Sequence, residues 1–407
     1  MRVATSTLYQ QGLASMNDQQ GALYSIQQQL ATGRRVLTPS ADPVAATRAL
    51  TTSQEAATNT QYAASRQQAN IRLSTEDKTL SAVTDVINAV HTLMVQAGNG
   101  TMSDLDRASI ATALQGRYDE LAGLANADDG NGNFIFAGLQ TGTAPFARSP
   151  AGGMQYLGDT GAQLLQVDVA RQMPAGDDGR SVFQSVAPGA GYVLQGNAGN
   201  TGTGAYGSIT TTDPTDPAFG HSFTISFQGA PGAMQYVVTD QGTTPPTAAA
   251  PAAYTPGAAI QLAGATFTVT GDPSAGDTFS MKPAVQAGAD MFTNLKTVID
   301  ALRQPLGVPG ASTNLQNVLS TGLRQFANAL DNVATVQASV GSRMNELDAL
   351  DTIGTNRGLN YAQQLSDLQD LNFAQAMTDY YQRQTALQAA QQSFMQIQGM
   401  NLFRFLS

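Results

Sequence analysis

The sequence predicts an α+β protein: a long helical-bundle or coiled-coil core built from the N- and C-terminal segments, with an all-β domain inserted between them. Three observations carry this reading. Apolar residues recur every seven positions near both ends of the chain, the seam pattern of helices packed lengthwise. Charged residues make up 12% of the chain, about half the usual ~25%. Between about residues 128 and 281 the heptads give way to short alternating stretches separated by Gly, Pro, Asp and Thr.

Tyr9, Met16, Leu23, Leu30 and Leu37 stand seven apart, and Asp18 is the only charged residue between Val3 and Gly33. They place a first helix over about residues 5–31. The break ATGRRVLTPSADPVAA follows, and Pro39, Ser40, Asp42 and Pro43 form an interdomain turn. Asp42 is a good N-cap and Pro43 a good first helical residue, so a second helix starts there and runs to about Ala97. Leu73, Leu80, Ile87 and Met94 form its apolar row, with Val83 and Val90 beside it. Gly98-Asn99-Gly100 ends it. Ser103 caps a third helix, in which Leu114 and Leu121 keep the seven-residue step.

At Asp128 the composition changes. DDGNGN reads as a turn and NFIFAG as a strand. SFTISF, MQYVVTD and ATFTVTG alternate apolar and polar residues, as half-buried strands do, and TTPPTAAAPAAYTPG reads as a loop. Helical pattern returns near Ala287, is interrupted by Pro305 and Pro309, and restarts with Ser312 as a cap. Leu319, Phe326, Val333, Val340 and Leu347 then make a row that is expected to run almost unbroken into the C-terminal stripe. In that stripe Phe373, Tyr380, Leu387 and Phe394 stand seven apart. Ala376, Ala390 and Ile397 fill the position three further on, with Arg383 as a polar intruder.

Most other positions of both terminal helices are Gln, Ala, Asn, Ser and Thr. A solvated helix face is usually laced with Glu and Lys, so these helices are expected to be surrounded by other helices. Two arrangements fit: the halves of an ordinary antiparallel bundle, or arms that finish their packing only in an assembly. On the second, Tyr9, Met16, Leu23, Leu30, Leu37, Phe373, Tyr380, Leu387, Phe394 and Ile397 are the assembly interface. The expected division is terminal arms (1–37 plus 365–407), a long helical bundle with a β-hairpin (38–187 plus 285–364), and the inserted β domain (188–284).

A net charge of −10 with three Lys argues against nucleic acid, whose phosphates need clustered Lys and Arg. With no Cys, the chain has no disulfide, thiolate metal site or Cys nucleophile. No apolar run approaches the ~18 residues of a membrane-spanning helix, and MRVATSTLYQQ lacks the apolar core of a secretory signal. His91 and His221 are the only histidines and have no ligand-spaced partner. Gly202 to Gly207 match G-x-G-x-x-G, but SITTTDPTDP follows and cannot open the helix that a dinucleotide site needs. Asp129, Asn131 and Asn133 resemble the first three ligands of an EF-hand loop. The sixth position is Phe134 rather than Gly and the twelfth is Gln140 rather than Glu, so a tight turn is expected. No constellation supports an enzyme, and no cofactor or metal is expected.

STLYQQGLASMNDQQ, QQLATGRRVLTPSADPVAA and GNFIFAGLQTGTAPF, in this order and spacing, together with the ending MNLFRFLS, resemble the hook–filament junction family of the flagellins, over about residues 1–150 and 285–407. The Thr38-Pro39-Ser40-x-Asp42-Pro43 turn separates this family from flagellin itself; Ala41 stands where its members usually have Asp. The resemblance implies export through the flagellar type III route on an uncleaved signal. It also implies a layer of copies between the first hook-associated protein and flagellin, an inner tube of terminal arms, an outward β insert, and an export chaperone on the C-terminal arm. Flagellin, or a secreted coiled-coil adhesin or tether whose insert binds a ligand, are the alternatives.

Overall fold

The computed structural model describes residues 5–149 and 153–403; the side chains of residues 5, 6, 8, 9 and 397–403 lie outside that description. Seven helices and fourteen strands follow in chain order among the described residues. Helices α1 (Thr5–Thr32), α2 (Pro43–Ala97) and α3 (Asp104–Ala125) come first. The middle holds β1 (Phe146–Arg148), β2 (Met154–Tyr156), β3 (Leu164–Asp168), β4 (Arg171–Pro174) and the short α4 (Gly179–Phe183). The insert carries β5 (Tyr192–Gly196), β6 (Ala205–Tyr206), β7 (Thr210–Thr211), β8 (Phe223–Gln228), β9 (Gln235–Asp240), β10 (Thr247–Ala248), β11 (Ala252–Ala253), β12 (Ala259–Leu262), β13 (Ala265–Thr270) and β14 (Thr278–Pro283). Helices α5 (Met291–Arg303), α6 (Ala311–Gln369) and α7 (Phe373–Phe403) close the chain. This is the α+β class expected: long helices from both ends of the sequence around an inserted β region.

The chain divides into two compact units, residues 1–64 with 349–407 and residues 65–348, and α2 and α6 each contribute to both. In the second unit the predicted rows close. Leu73, Leu80, Val83, Ile87, Val90 and Met94 of α2 are buried, as are Leu114 and Leu121 of α3 and Leu319, Phe326, Val333, Val340 and Leu347 of α6. Ser103 accepts from the Asp106 N–H at 3.2 Å and the Asp106 carboxylate accepts from the Ser103 N–H at 3.2 Å, a capping box that starts α3. Phe136, Phe146, Phe183 and Phe292 pack edge-on or tilted with centroids 5.2–6.0 Å apart, joining the loop after α3 to α4 and α5.

The insert is built from antiparallel strands. One six-stranded sheet runs β10-β9-β8-β14-β5 with β11 also on β9, and a four-stranded sheet runs β12-β13-β6 with β7 also on β13. Phe223, Ile225, Phe227, Phe267, Val269, Phe279 and Met281 alternate along their strands and meet in one core, so the period-2 pattern reports burial directly. The ends of the segment are neighbours: Tyr192 is opposite Pro283, and the Ala284 N–H donates to Gly191 O at 2.9 Å. Its attachment to α6 is polar. Asn317 Oδ1 accepts from the Tyr206 N–H at 3.1 Å and Nδ2 donates to Gly204 O at 3.0 Å, while Thr321 Oγ1 donates to Leu194 O at 2.7 Å.

Three local expectations need correcting. NFIFAG forms no strand; Phe136 and Ala137 are buried in a run of turns. Gly138 takes φ +68°, and a Cβ there would collide with Asp159, so the chain curls instead of extending. Helix α6 begins at Ala311, which puts Ser312 inside its first turn rather than at its cap. The C-terminal helix is also interrupted: α6 ends at Gln369 and α7 starts at Phe373. Asn372 caps the new helix, its Oδ1 accepting from the Gln375 N–H at 3.2 Å.

Because its ends are adjacent and its core is its own, the segment 190–283 is expected to be removable. With a short Gly/Ser linker in its place, the helical signal in circular dichroism should persist and melt cooperatively. A chain that loses its helices with the segment would show that the insert belongs to the main core.

Candidate assembly interface

Helices α1 and α7 run antiparallel. Phe394 lies against Gly12, where a Cβ would sit 3.3 Å from its ring. Gln27 Nε2 donates to Tyr380 OH at 3.4 Å, and the Phe373 ring lies 3.7 Å from the Cβ position of Gly33. The paired numbers sum to nearly the same value, which fixes both direction and register. Met16, Leu23 and Leu30 of α1 and Tyr380, Leu387 and Phe394 of α7 are all only half-buried. Ala376 is the one buried residue among the described side chains of the two helices. Rows of the same spacing in α2 and α6 are fully closed.

Beyond the seam, the pair exposes apolar side chains. Phe373 is 54% exposed, Tyr381 59% and Met395 62%, with Leu13, Tyr24 and Met377 also outside. Phe373, predicted within the seam, lies at its open end. Tyr9 and Ile397 lie on described backbone, in α1 and α7, but their side chains fall outside the described residues. Leu37 lies past the end of α1, half-buried, lining a groove of about 380 Å³ with Val36, Ala49, Leu50 and Leu368. Sequence reasoning missed the second seam row of α1, Gly12, Gln19, Ile26 and Gly33. It is spaced by seven like the first, but its Gly and Gln hide it. Arg383 is exposed, and Gln384 takes the half-buried place beside it.

The turn after α1 is held by a residue the spacing did not single out. The Arg35 guanidinium donates to Leu368 O at 2.8 Å and pairs with the Asp42 carboxylate at 3.2 Å. The Arg35 N–H donates to Gln369 O at 2.8 Å, and the Leu371 N–H donates to Gly33 O at 2.9 Å. These long-range bonds meet at the interruption between α6 and α7. Asp42 also accepts from the Ala45 N–H at 3.0 Å, capping α2 as predicted; that bond first, and Arg35 as well, hold its carboxyl below the usual range. Pro43 opens α2, while Pro39 and Ser40 are exposed in the bend.

The chemistry-bearing motifs resolve structurally. Asp277 is buried and accepts from the N–H groups of Thr201 and Gly202 at 2.9 and 3.0 Å, so the Gly-rich loop presents these donors to the chain's own carboxylate. His221 Nδ1 lies 2.9 Å from Asp240. Among the described residues, no three His, Asp or Glu side chains gather closely enough to hold a metal. No described helix is long and apolar enough to cross a membrane.

The bacterial flagellin N-terminal helical region matches residues 3–141. The chain is 32% identical to flagellar hook-associated protein 3 of Escherichia coli over 405 residues, 99% of each chain. The crystal structure of Xanthomonas campestris FlgL aligns with a TM-score of 0.68 at 26% identity, covering 77% of this chain and 99% of that one. The flagellar junction protein FlgL of Legionella pneumophila shares the fold, with a TM-score of 0.66 at 24% identity over 79% of this chain and 100% of that one.

Leu387 and Val333 separate the open seam from the closed core. Full burial of such a side chain stabilises by roughly 1.5–3 kcal/mol, and a buried unpaired charge costs several kcal/mol more. Val333→Asp should lower the melting temperature of the purified chain sharply. Leu387→Asp, at a half-open position, should leave it nearly unchanged. Equal destabilisation in thermal denaturation would mean that the α1–α7 pair is part of an ordinary closed bundle.

Proposed function

The chain belongs to the flagellar hook-associated protein 3 (FlgL) family, and on that premise we propose that it joins hook to filament as a structural adaptor without catalytic activity. It is a component of the bacterial flagellum, and its role there is mechanical. The observation that carries the reading is the half-open seam of α1 and α7. A pair of helices with apolar residues left on its outer faces is a surface waiting for further helices.

The proposed division gives each part a task. The arms, 1–37 and 365–407, line the inner tube; 38–187 and 285–364 form the shell around it; 188–284 faces outward. The low charge of the arms suits identical copies crowded about one axis, where like charges would repel. Contacts between copies are head-to-tail, because a self-matched two-fold contact closes after two subunits. The first hook-associated protein and flagellin are the neighbours on either side. An export chaperone covers the C-terminal arm before secretion by the flagellar type III route.

A strain lacking this gene provides the test. A junction adaptor predicts normal hooks, no swimming, and flagellin released into the medium. Loss of the filament protein itself would point to flagellin. Unimpaired swimming, with ligand binding by the insert, would point to an adhesin or tether. In the adaptor case, a strain carrying Leu387→Asp should also fail to hold a filament although its protein folds and is secreted.

A further inference from the structure

One buried carboxylate in the second unit is only half satisfied. Glu76 of α2 is 1% exposed. Its Oε1 accepts from the Asp177 N–H at 3.1 Å, while Oε2 is buried and meets no hydrogen-bond partner among the described residues. Asp177 itself is paired with the Arg343 guanidinium.

Glu76 lines a cavity of about 40 Å³ whose walls include Asp129, Asn133 and Ile135. That is room for an ion with a water or two, since one water needs roughly 10–15 Å³. Asp129, Asn133 and Ile135 are positions one, five and seven of the run that resembles an EF-hand loop. In such loops the first and fifth positions give side-chain oxygens, the seventh gives its main-chain carbonyl, and the twelfth gives a carboxylate. The turn has the matching curl: Asp129 Oδ1 accepts from the N–H groups of Asn131 at 2.9 Å and Asn133 at 3.2 Å. Asn133 Nδ2 donates to Asp129 Oδ2 at 3.0 Å, and its amide oxygen accepts from Thr141 Oγ1 at 3.5 Å. The twelfth position, Gln140, supplies no carboxylate, but the fold brings Glu76 from α2. Glu76 Oε2 and Ile135 O border one space, 3.5 and 3.8 Å from where a Cβ on Gly176 would lie.

We propose that this cavity is a calcium site, with the Asp129 and Glu76 carboxylates and the Ile135 carbonyl as donors and water completing the shell. The donors are all oxygen, which selects a hard cation over zinc or copper. A carboxylate from a helix combined with loop oxygens gives an irregular shell, which calcium accepts and magnesium, needing near-octahedral geometry, does not. Only two carboxylates contribute, and Arg72, whose guanidinium donates to Gln163, adds a positive charge to the cavity wall. Affinity therefore falls in the weak range of extracellular modules, ~10⁻⁴–10⁻³ M. A bound ion would tie the turn after α3 to α2.

Calorimetric titration of the full chain with calcium chloride, at constant ionic strength, tests this. One site per chain is expected in that range, with a calcium-dependent rise in melting temperature. Glu76→Gln keeps the shape of the side chain and should weaken binding at least tenfold; Asp129→Asn, on the surface turn, should do the same if Glu76→Gln fails to fold. Arg72→Gln should tighten binding, a gain that a merely structural role for these residues would not produce. No saturable binding up to ~10 mM, ten times the weak end of that range, would overturn the proposal. So would affinity unchanged in Glu76→Gln and Asp129→Asn, or a melting shift that sodium chloride reproduces.

Discussion

A pair of helices packed along one seam covers each seam residue from one side only, and the terminal pair here shows the consequence. Met16, Leu23, Leu30, Tyr380, Leu387 and Phe394 all stay half-open, and Tyr381 and Met395 stand outside altogether. Apolar area left in water yields none of the roughly 25 cal/mol per Å² that burial would give. A two-helix pair without that gain is marginal, because isolated helices draw most of their stability from packing. The Gln-rich outer faces of α1 and α7 fit the same constraint, since close neighbours exclude solvated charges but admit amides. The arrangement makes sense in a flagellar component, whose partners are other flagellar proteins.

The second unit is built under the opposite rule. Its rows are closed by several elements at once, and its buried polar groups are mostly answered within the chain. Asn332 Nδ2 donates to Ser181 O at 2.8 Å and Val182 O at 3.1 Å, and the buried Arg66 donates from Nη1 to Val167 O at 3.1 Å. Asn317 does the same for the insert. A unit that satisfies its own core needs no further contacts, whereas the terminal pair leaves apolar side chains uncovered.

Much of this could be read from residue spacing, because heptads and alternation report burial directly. The start of α2 was legible in Asp42-Pro43, the α3 cap in Ser103 and the main insert strands in their alternation. What escaped depended on contacts between distant residues. The break at 370–372 contains no Pro or Gly; it is fixed by main-chain bonds to Gly33 and Arg35, which no local pattern reveals. NFIFAG looks like a strand because its aromatics are buried, but neighbouring Asp159 and the left-handed Gly138 bend it. Glu76 stands in the charged run Glu76-Asp77-Lys78 and reads as part of a solvated face, yet it is buried against a loop a hundred residues away. At the candidate interface the first seam rows were visible, whereas the second α1 row was disguised by Gly and Gln.

Hydrogen exchange of the purified full-length chain, followed peptide by peptide, tests most directly that the terminal seam is left open for assembly. Amides of α1 and α7 should exchange orders of magnitude faster than those of α2 between residues 73 and 94 and α6 between residues 319 and 347, because local opening is cheap where few apolar contacts are buried. They should slow to the same range once the chain is incorporated between hook and filament. Equal protection of α1, α7 and the second-unit helices in the isolated chain would contradict the account, since the seam would then be complete without a partner.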